Sequence, residues 1–162
     1  MDEFTAAGVL FTNGSHILGG YQPHKKHPCI SGIGGAKHDH ETFIQTALRE
    51  CMEELFEIKT IPKSLFTKLK SITPKTIIHS NKYINLVYSF DDLELFLKYC
   101  KSYGLKSPLY TIFPKSIHEL ILNRSVTESA ELSHLVLLPM LPTISIDSYF
   151  QADIQLLFTM KT

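Results

Sequence analysis

Read from its residues alone, the chain predicts an α+β layered domain. The apolar residues change period along the chain in the order strand-like, helical, strand-like, helical. The 162 residues suit one domain, since domains usually run to roughly 100–200 residues. A hydrophobic content of 44%, with 10 Phe and 7 Tyr, supplies a core at a size where about two thirds of the unfolded surface is buried. One domain over 1–162 is expected, and disorder is excluded for most of it.

Ala6 to Thr12 is an apolar, β-prone run, Asn13-Gly14 is a turn signal, and His16 to Tyr21 resumes extended character, so the chain opens with a hairpin. Residues 22–40 carry Pro23, Pro28, Gly32, Gly34, Gly35, His24, His27, His38 and His40, which predicts a loop with a short strand at Cys29–Ile33. From Glu41 to Glu57 there is no Gly or Pro, and Ile44, Ala47, Leu48, Cys51, Met52 and Leu55 recur at helical spacing. Pro62 and Pro74 bracket an ambiguous stretch, and Thr76–Ile78 and Tyr83–Phe90 read as strands joined through His79–Lys82. Asp91-Asp92 would cap a helix running to about Ser102, and Ser116–Asn123 reads as another. Leu132–Leu138 is expected as a late strand closed by Pro139 and Pro142, and Asp147 to Met160 as a closing helix packed through Phe150, Leu156, Leu157 and Phe158. The stretch at about 91–126 is longer than a simple connection and reads as a partly helical insertion.

Sixteen Lys+Arg balance sixteen Asp+Glu. Zero net charge argues against a broad surface for long nucleic acid or an anionic membrane. No apolar run approaches the ~20 residues of a spanning helix, the longest being Leu135 to Pro142, and Met1-Asp2-Glu3-Phe4 lacks the basic-then-apolar plan of a signal peptide. A cytoplasmic protein is expected, with Cys29, Cys51 and Cys100 as reduced thiols outside any disulfide framework.

The charge is nonetheless segregated. Five of ten glutamates lie between 41 and 57, and Glu50, Glu53, Glu54 and Glu57 fall within roughly a 100° arc of one helical face. Like charges at these spacings destabilise a helix, and a hard divalent cation would compensate them. A glutamate-rich face taken alone is ordinarily a solvated surface. Gly34-Gly35 just upstream changes that reading, because a glycine pair admits a ligand or metal close to the backbone.

These residues resemble the signature of the Nudix hydrolases. Gly35 is followed after five residues by Glu41, after seven more by Arg49-Glu50, then by Cys51, Met52, Glu53-Glu54 and Leu55. Six such matches arise by chance in about one in 10⁵ sequences of this composition. Phe56 stands where the family closes its motif with glycine, and Glu57 where an aliphatic follows, which puts the end of the helix in question. The resemblance implies an α/β/α sandwich with a mixed central sheet and a catalytic loop–helix. It implies Mg²⁺, with Mn²⁺ as a substitute, held by Glu50, Glu53, Glu54 and the carbonyl of Gly34. Arg49 would orient a glutamate and Glu41 would brace the loop. The implied reaction is attack of a metal-activated water on a pyrophosphate phosphorus, with Glu53 or Glu50 taking the proton. Some members place the base before the last strand, where Glu128 and Glu131 lie here.

Lys25, Lys26 and Lys37, with the histidines around them, would form a cationic collar for polyphosphate beside Gly35, or else a solvated loop. The histidines lack the second cluster of a tetrahedral zinc site. Tyr83, Tyr88, Phe90 and Phe113 are candidates to stack on a base, with core packing as the alternative. The expected substrate is a small phosphorylated compound, a nucleoside diphosphate linked to another moiety; capped RNA is less favoured by the neutral charge. The 91–126 segment would cap the site or a homodimer interface. A competing expectation is a nucleotide-binding or regulatory module of the same fold with little turnover, and a third is an unrelated α+β domain.

Overall fold

The computed structural model describes residues 3–140 and 146–160; Met1, Asp2, Pro142 and the chain end at 161–162 lie outside the described residues. The opening hairpin forms as expected, β1 (Ala6–Thr12) and β2 (His16–Gln22). Asn13 Oδ1 accepts from the N–H groups of Ser15 and His16 at 3.0 and 2.9 Å, and Gly14 adopts φ 96°, the left-handed region glycine enters without steric cost.

Residues 22–40 are more ordered than their composition predicts. Gly32 separates two strands, β3 (Cys29–Ser31) and β4 (Ile33–Ala36), and the second continues past the expected end. Gly34-Gly35 therefore sits in a strand, antiparallel to β1 with Gly34 opposite Gly8 and Gly35 opposite Ala7. Backbone pairing satisfies this segment, which overrides its loop-like residues.

Helix α1 (Phe43–Phe56) starts two residues later than the apolar period allows, because Thr42 caps it. Thr42 Oγ1 accepts from Gln45 N at 3.2 Å and Gln45 Oε1 from Thr42 N at 2.8 Å, a reciprocal capping box. The ambiguous stretch after Pro62 is α2 (Lys63–Lys70), followed by β5 (Thr76–Ser80) and β6 (Tyr83–Ser89). Next come α3 (Phe90–Ser102), α4 (Ile117–Leu122), β7 (His134–Pro139) and α5 (Ser148–Thr159). The cap of α3 is Ser89, not the Asp91-Asp92 pair: Ser89 Oγ accepts from Asp92 N and Asp92 Oδ2 from Ser89 N, both at 3.0 Å.

The sheet is mixed and seven-stranded, ordered β3-β2-β1-β6-β5, with β4 on β1 and β7 on β2. Parallel pairing of β1 with β6, from Ala6 opposite Tyr83 to Thr12 opposite Ser89, puts the chain's first strand in the middle. Strand alternation then sorts the side chains. Ala7, Val9, Phe11, Ile84, Leu86 and Tyr88 join the core under α1, α2 and α3. Leu10, Ile17, Val87 and Leu138 pack under α5 against Phe150, Ile154 and Leu157. Leu156 and Phe158, expected in that packing, are instead 38% and 37% exposed. Among the described residues no helix is long and apolar enough to cross a membrane.

Candidate active site on the edge of the sheet

The glutamate face of α1 is not a solvated surface. Glu50 is 9% exposed and Glu54 is 2% exposed, both turned toward β4. A Cβ at Gly35 would lie 2.5 Å from Glu50 Cδ, so the glycine is what lets that carboxyl lie against the strand. Gly34 N–H donates to Glu54 Oε1 at 2.8 Å. The other oxygen, Glu54 Oε2, is buried and has no hydrogen-bond partner among the described residues.

Arg49 organises the carboxylates. Its Nε lies 2.8 Å from Glu41 Oε2, and its Nη1 lies 2.7 Å from Glu50 Oε1 and 3.5 Å from Glu53 Oε2. Nη2 donates to the Ala36 carbonyl at 2.8 Å, tying α1 to the end of β4. Glu41 ties the loop to the helix: Oε1 also accepts from His38 N at 2.8 Å and Thr46 Oγ1 at 3.1 Å. The hydrogen-bonded guanidinium of Arg49 holds the Glu41 carboxyl down at about 2, against a smaller upward push from burial. Glu50 is shifted the other way by burial, with Arg49 opposing. Burial pushes Glu54 well above the usual carboxylate range; the Gly34 N–H and the charge of Lys25 oppose it, and the charges of Glu131 and Glu50 add to it.

Of the Glu128/Glu131 pair, Glu131 is exposed and its charge adds to the upward push on Glu50 and Glu54. Of the lysines, Lys25 borders a cavity beside Gly34. Lys26 is exposed and does not line that cavity, and Lys37 sits with its ammonium 4.7 Å over the Phe4 ring. Tyr88 and Phe113 are core residues packed on Phe11 and Phe56, and Phe90 is half-buried against the same core, leaving Tyr83 as the base-stacking candidate that borders the cavity.

The departure at Phe56 has a structural answer. Phe56 is 2% exposed and packs on Phe113 at 4.7 Å, and the left-handed turn falls on Glu57 at φ 55°. The last carbonyls of α1 are then capped from residues 107–124. Glu57 N–H bonds Glu53 O at 2.8 Å, Arg124 Nη2 donates to Glu54 O at 2.8 Å and its Nη1 to Leu55 O at 2.5 Å, and Ser107 Oγ donates to Phe56 O at 2.7 Å. A buried cation at a helix C-terminus also complements the helix dipole.

Sequence reasoning missed Arg124 and most of the cavity, of whose lining it named only Lys25, Gly34 and Tyr83 as site candidates. The cavity, about 480 Å³, lies between the sheet and α5, on the opposite face from α1. Gln22, Lys25, Lys82, Asn85, Asp147 and Asp153 are among the polar residues that line it. Asn85, 2% exposed, donates through Nδ2 to Asp153 Oδ2 at 3.0 Å, and burial holds Asp153 up at about 6. A buried asparagine within an apolar strand was the available signal.

A mixed sheet between helices, with a carboxylate-bearing helix docked beside a glycine pair on the sheet edge, is the Nudix hydrolase fold. The chain is similar to a bifunctional NMN adenylyltransferase/ADP ribose pyrophosphatase from Francisella tularensis, solved with AMP and a manganese ion, at a TM-score of 0.53 and 14% identity over 99% of this chain. That alignment takes in 42% of the Francisella chain, so this chain spans less than half of that protein's length. It is also similar to RenU, a Nudix hydrolase from M. smegmatis, at a TM-score of 0.52 and 16% identity, over 98% of this chain and 86% of the other. At such identities the likeness establishes the fold. No family model and no curated protein sequence matches the chain.

Proposed function

We propose that the protein is a metal-dependent pyrophosphohydrolase that cleaves a diphosphate linkage in a nucleoside diphosphate derivative. The observation that carries this is Glu54: a carboxylate oxygen is buried without a partner among the described residues at the end of an arc of acidic side chains. An unpaired buried carboxylate is costly, and hard oxygen donors from glutamates and a main-chain carbonyl are the set that Mg²⁺ or Mn²⁺ takes. Glu50, Glu53, Glu54 and the Gly34 carbonyl would hold the ion. Bound there, it would neutralise phosphate charge and lower the pKa of water.

The chain's own groups have separable tasks in this reading. Arg49 fixes Glu50 and Glu53 about one guanidinium nitrogen, so their spacing is set before substrate arrives. Glu53, with a side chain 30% exposed, is the carboxylate open to water and the first choice to accept its proton, with Glu50 next and Glu131 as the loop alternative. Lys25 supplies positive charge for a phosphate at the mouth of the cavity. We also assign residues 91–126 as an insertion within a single domain; none of them lines the cavity, and Ser107 and Arg124 tie the region to the end of α1.

One observation favours the competing reading of a binding module. Among the described residues no three His, Cys, Asp or Glu side chains stand together as a ready metal cage. Arg49, which reaches both Glu50 and Glu53, accounts for this if the carboxylates rearrange on binding. Phosphate release from nucleoside triphosphates, nucleotide sugars and dinucleoside polyphosphates, with and without Mg²⁺, separates the two readings. Metal-dependent turnover lost in Glu53→Gln is the expected result. Nucleotide-induced stabilisation without turnover on any of them would overturn the enzyme and leave the binding module.

A further inference from the structure

The cavity under α5 has a polar lining of uneven character. Near β4 it is bounded by Lys25 and by Tyr83, whose hydroxyl fills the space between two facing glycines. A Cβ at Gly34 would sit 1.9 Å from that oxygen and one at Gly8 2.7 Å from it. Ser80, Asn81 and Lys82 add donors to the lining, and Gln22, Asn85 and Asp153 supply acceptors. The Asn85 amide is oriented by its donation to Asp153, which leaves its own oxygen and the remaining carboxylate lone pairs as acceptors. Gln22 is 6% exposed, and its Oε1 has no hydrogen-bond partner among the described residues. Such a group costs about 1–3 kcal/mol until a donor reaches it.

Resting on the reading of the edge site as a pyrophosphohydrolase, we propose that this cavity selects the organic half of the substrate as a nucleobase with adjacent N–H donors, guanine foremost, and that Asp153, Asn85 and Gln22 determine that specificity. Two carboxylates, Asp147 and Asp153, and two lysines, Lys25 and Lys82, border the cavity. A phosphate set against Asp153 would face a like charge. Guanine offers N1–H and N2–H₂ on one edge, the complement of a carboxylate beside carboxamide oxygens. Adenine presents a single amine beside a ring acceptor and satisfies fewer of these groups. A site built to hydrogen-bond a ligand rejects analogues lacking the donor, because its own buried groups are then left unpaired. The cavity has the size range of small-molecule sites, and it meets the carboxylate edge at Gly34, so the phosphates would leave the base pointing toward Lys25 and Glu54.

The test is calorimetric titration of the full chain in EDTA with GDP, IDP, ADP, tripolyphosphate and inositol hexakisphosphate. Leaving the metal out separates this proposal from the hydrolytic reading. GDP should bind at least tenfold more tightly than tripolyphosphate or inositol hexakisphosphate, with IDP weaker than GDP for want of the 2-amino group and ADP weaker again. Asp153→Asn should erase the GDP advantage without weakening tripolyphosphate. Equal binding of GDP and tripolyphosphate, an adenine preference, no binding by any probe, or a GDP preference that survives Asp153→Asn would each overturn the proposal. The wild-type ranking decides the matter even if the variant does not fold. A protein that prefers GDP yet hydrolyses nothing would keep this proposal and lose the catalytic one.

Discussion

Replacing Arg124 by Met should destabilise the protein through the end of α1. The side chain is 8% exposed, and its three nitrogens make five hydrogen bonds. Four of these go to the carbonyls of Glu54, Leu55 and Leu132, and the fifth to Tyr110 Oη. Met has comparable length and no donor, so three buried carbonyls lose a partner at about 1–3 kcal/mol each. Removing a buried charge refunds part of that loss. The net expectation is about 2–4 kcal/mol, or a fall in Tm of roughly 5–15 °C for a domain of this size. Arg124→Lys should fall between, since one ammonium cannot reproduce the planar fork. Urea titration by circular dichroism measures both. A Met variant within about 1 kcal/mol of wild type would refute the idea that Arg124 replaces the closing glycine as the terminator of α1.

Glu54→Gln should make the metal-free protein more stable at pH 8, by about 1–2 kcal/mol, because it removes a buried charge one of whose oxygens has no partner among the described residues. Burial raises the folded pKa of Glu54, so its penalty is absent below the unfolded value near 4.3 and grows as pH rises toward the folded value. The gain should therefore vanish near pH 4, and the variant should lose any Mg²⁺-dependent rise in Tm. Glu41 has the opposite sign: its folded pKa of about 2 gives stability that is present above the unfolded value and is lost as pH falls toward 2. Glu41→Gln should cost about 1–2 kcal/mol at pH 7 after allowing for solvent screening, and nothing near pH 2, as read from denaturant titrations across that range. Glu57→Gly should stabilise by about 0.5–1 kcal/mol, since glycine adopts the left-handed turn more cheaply than glutamate; an unchanged urea midpoint would speak against strain at that residue.

How much of this could be read from the chain depended on sequence distance. The hairpin, α1 and the acidic arc rest on periodicity and turn residues within a few positions of one another, and they fold as expected. Thr42 and Ser89 were less visible because a capping box depends on two residues acting together, and the acidic pair after Ser89 competes for the same role. The strand at Gly34-Gly35 is set by β1, some 25 residues away in the chain, and beyond Ile33 nothing in its composition is strand-like. Arg124 and Asp153 act on partners about 70 residues distant, at Glu54 and Asn85. Both left a trace all the same. Arg124 is one of only two arginines among sixteen basic residues, and arginine is the side chain suited to several carbonyls at once. Asp153 interrupts the apolar side of α5 immediately before buried Ile154.

Glycine at 34 and 35 serves the two faces of the sheet in different ways, and this joins the edge site to the cavity. Successive residues of a strand point to opposite faces. The missing side chain at Gly35 makes room for Glu50 on the α1 face, and the one at Gly34 makes room for the Tyr83 hydroxyl on the α5 face. The same Gly34 gives its N–H to Glu54 at the edge. A single strand residue thus touches the carboxylate whose second oxygen has no partner among the described residues and also lines the cavity where the Gln22 oxygen is in the same condition. A substrate whose phosphates meet the acidic edge and whose base enters the cavity would have to cross the sheet at this point. Any side chain larger than hydrogen at Gly34 would displace Tyr83 and the backbone at Gly8 together, so the proposed metal site and the proposed recognition cavity place the same demand on this residue.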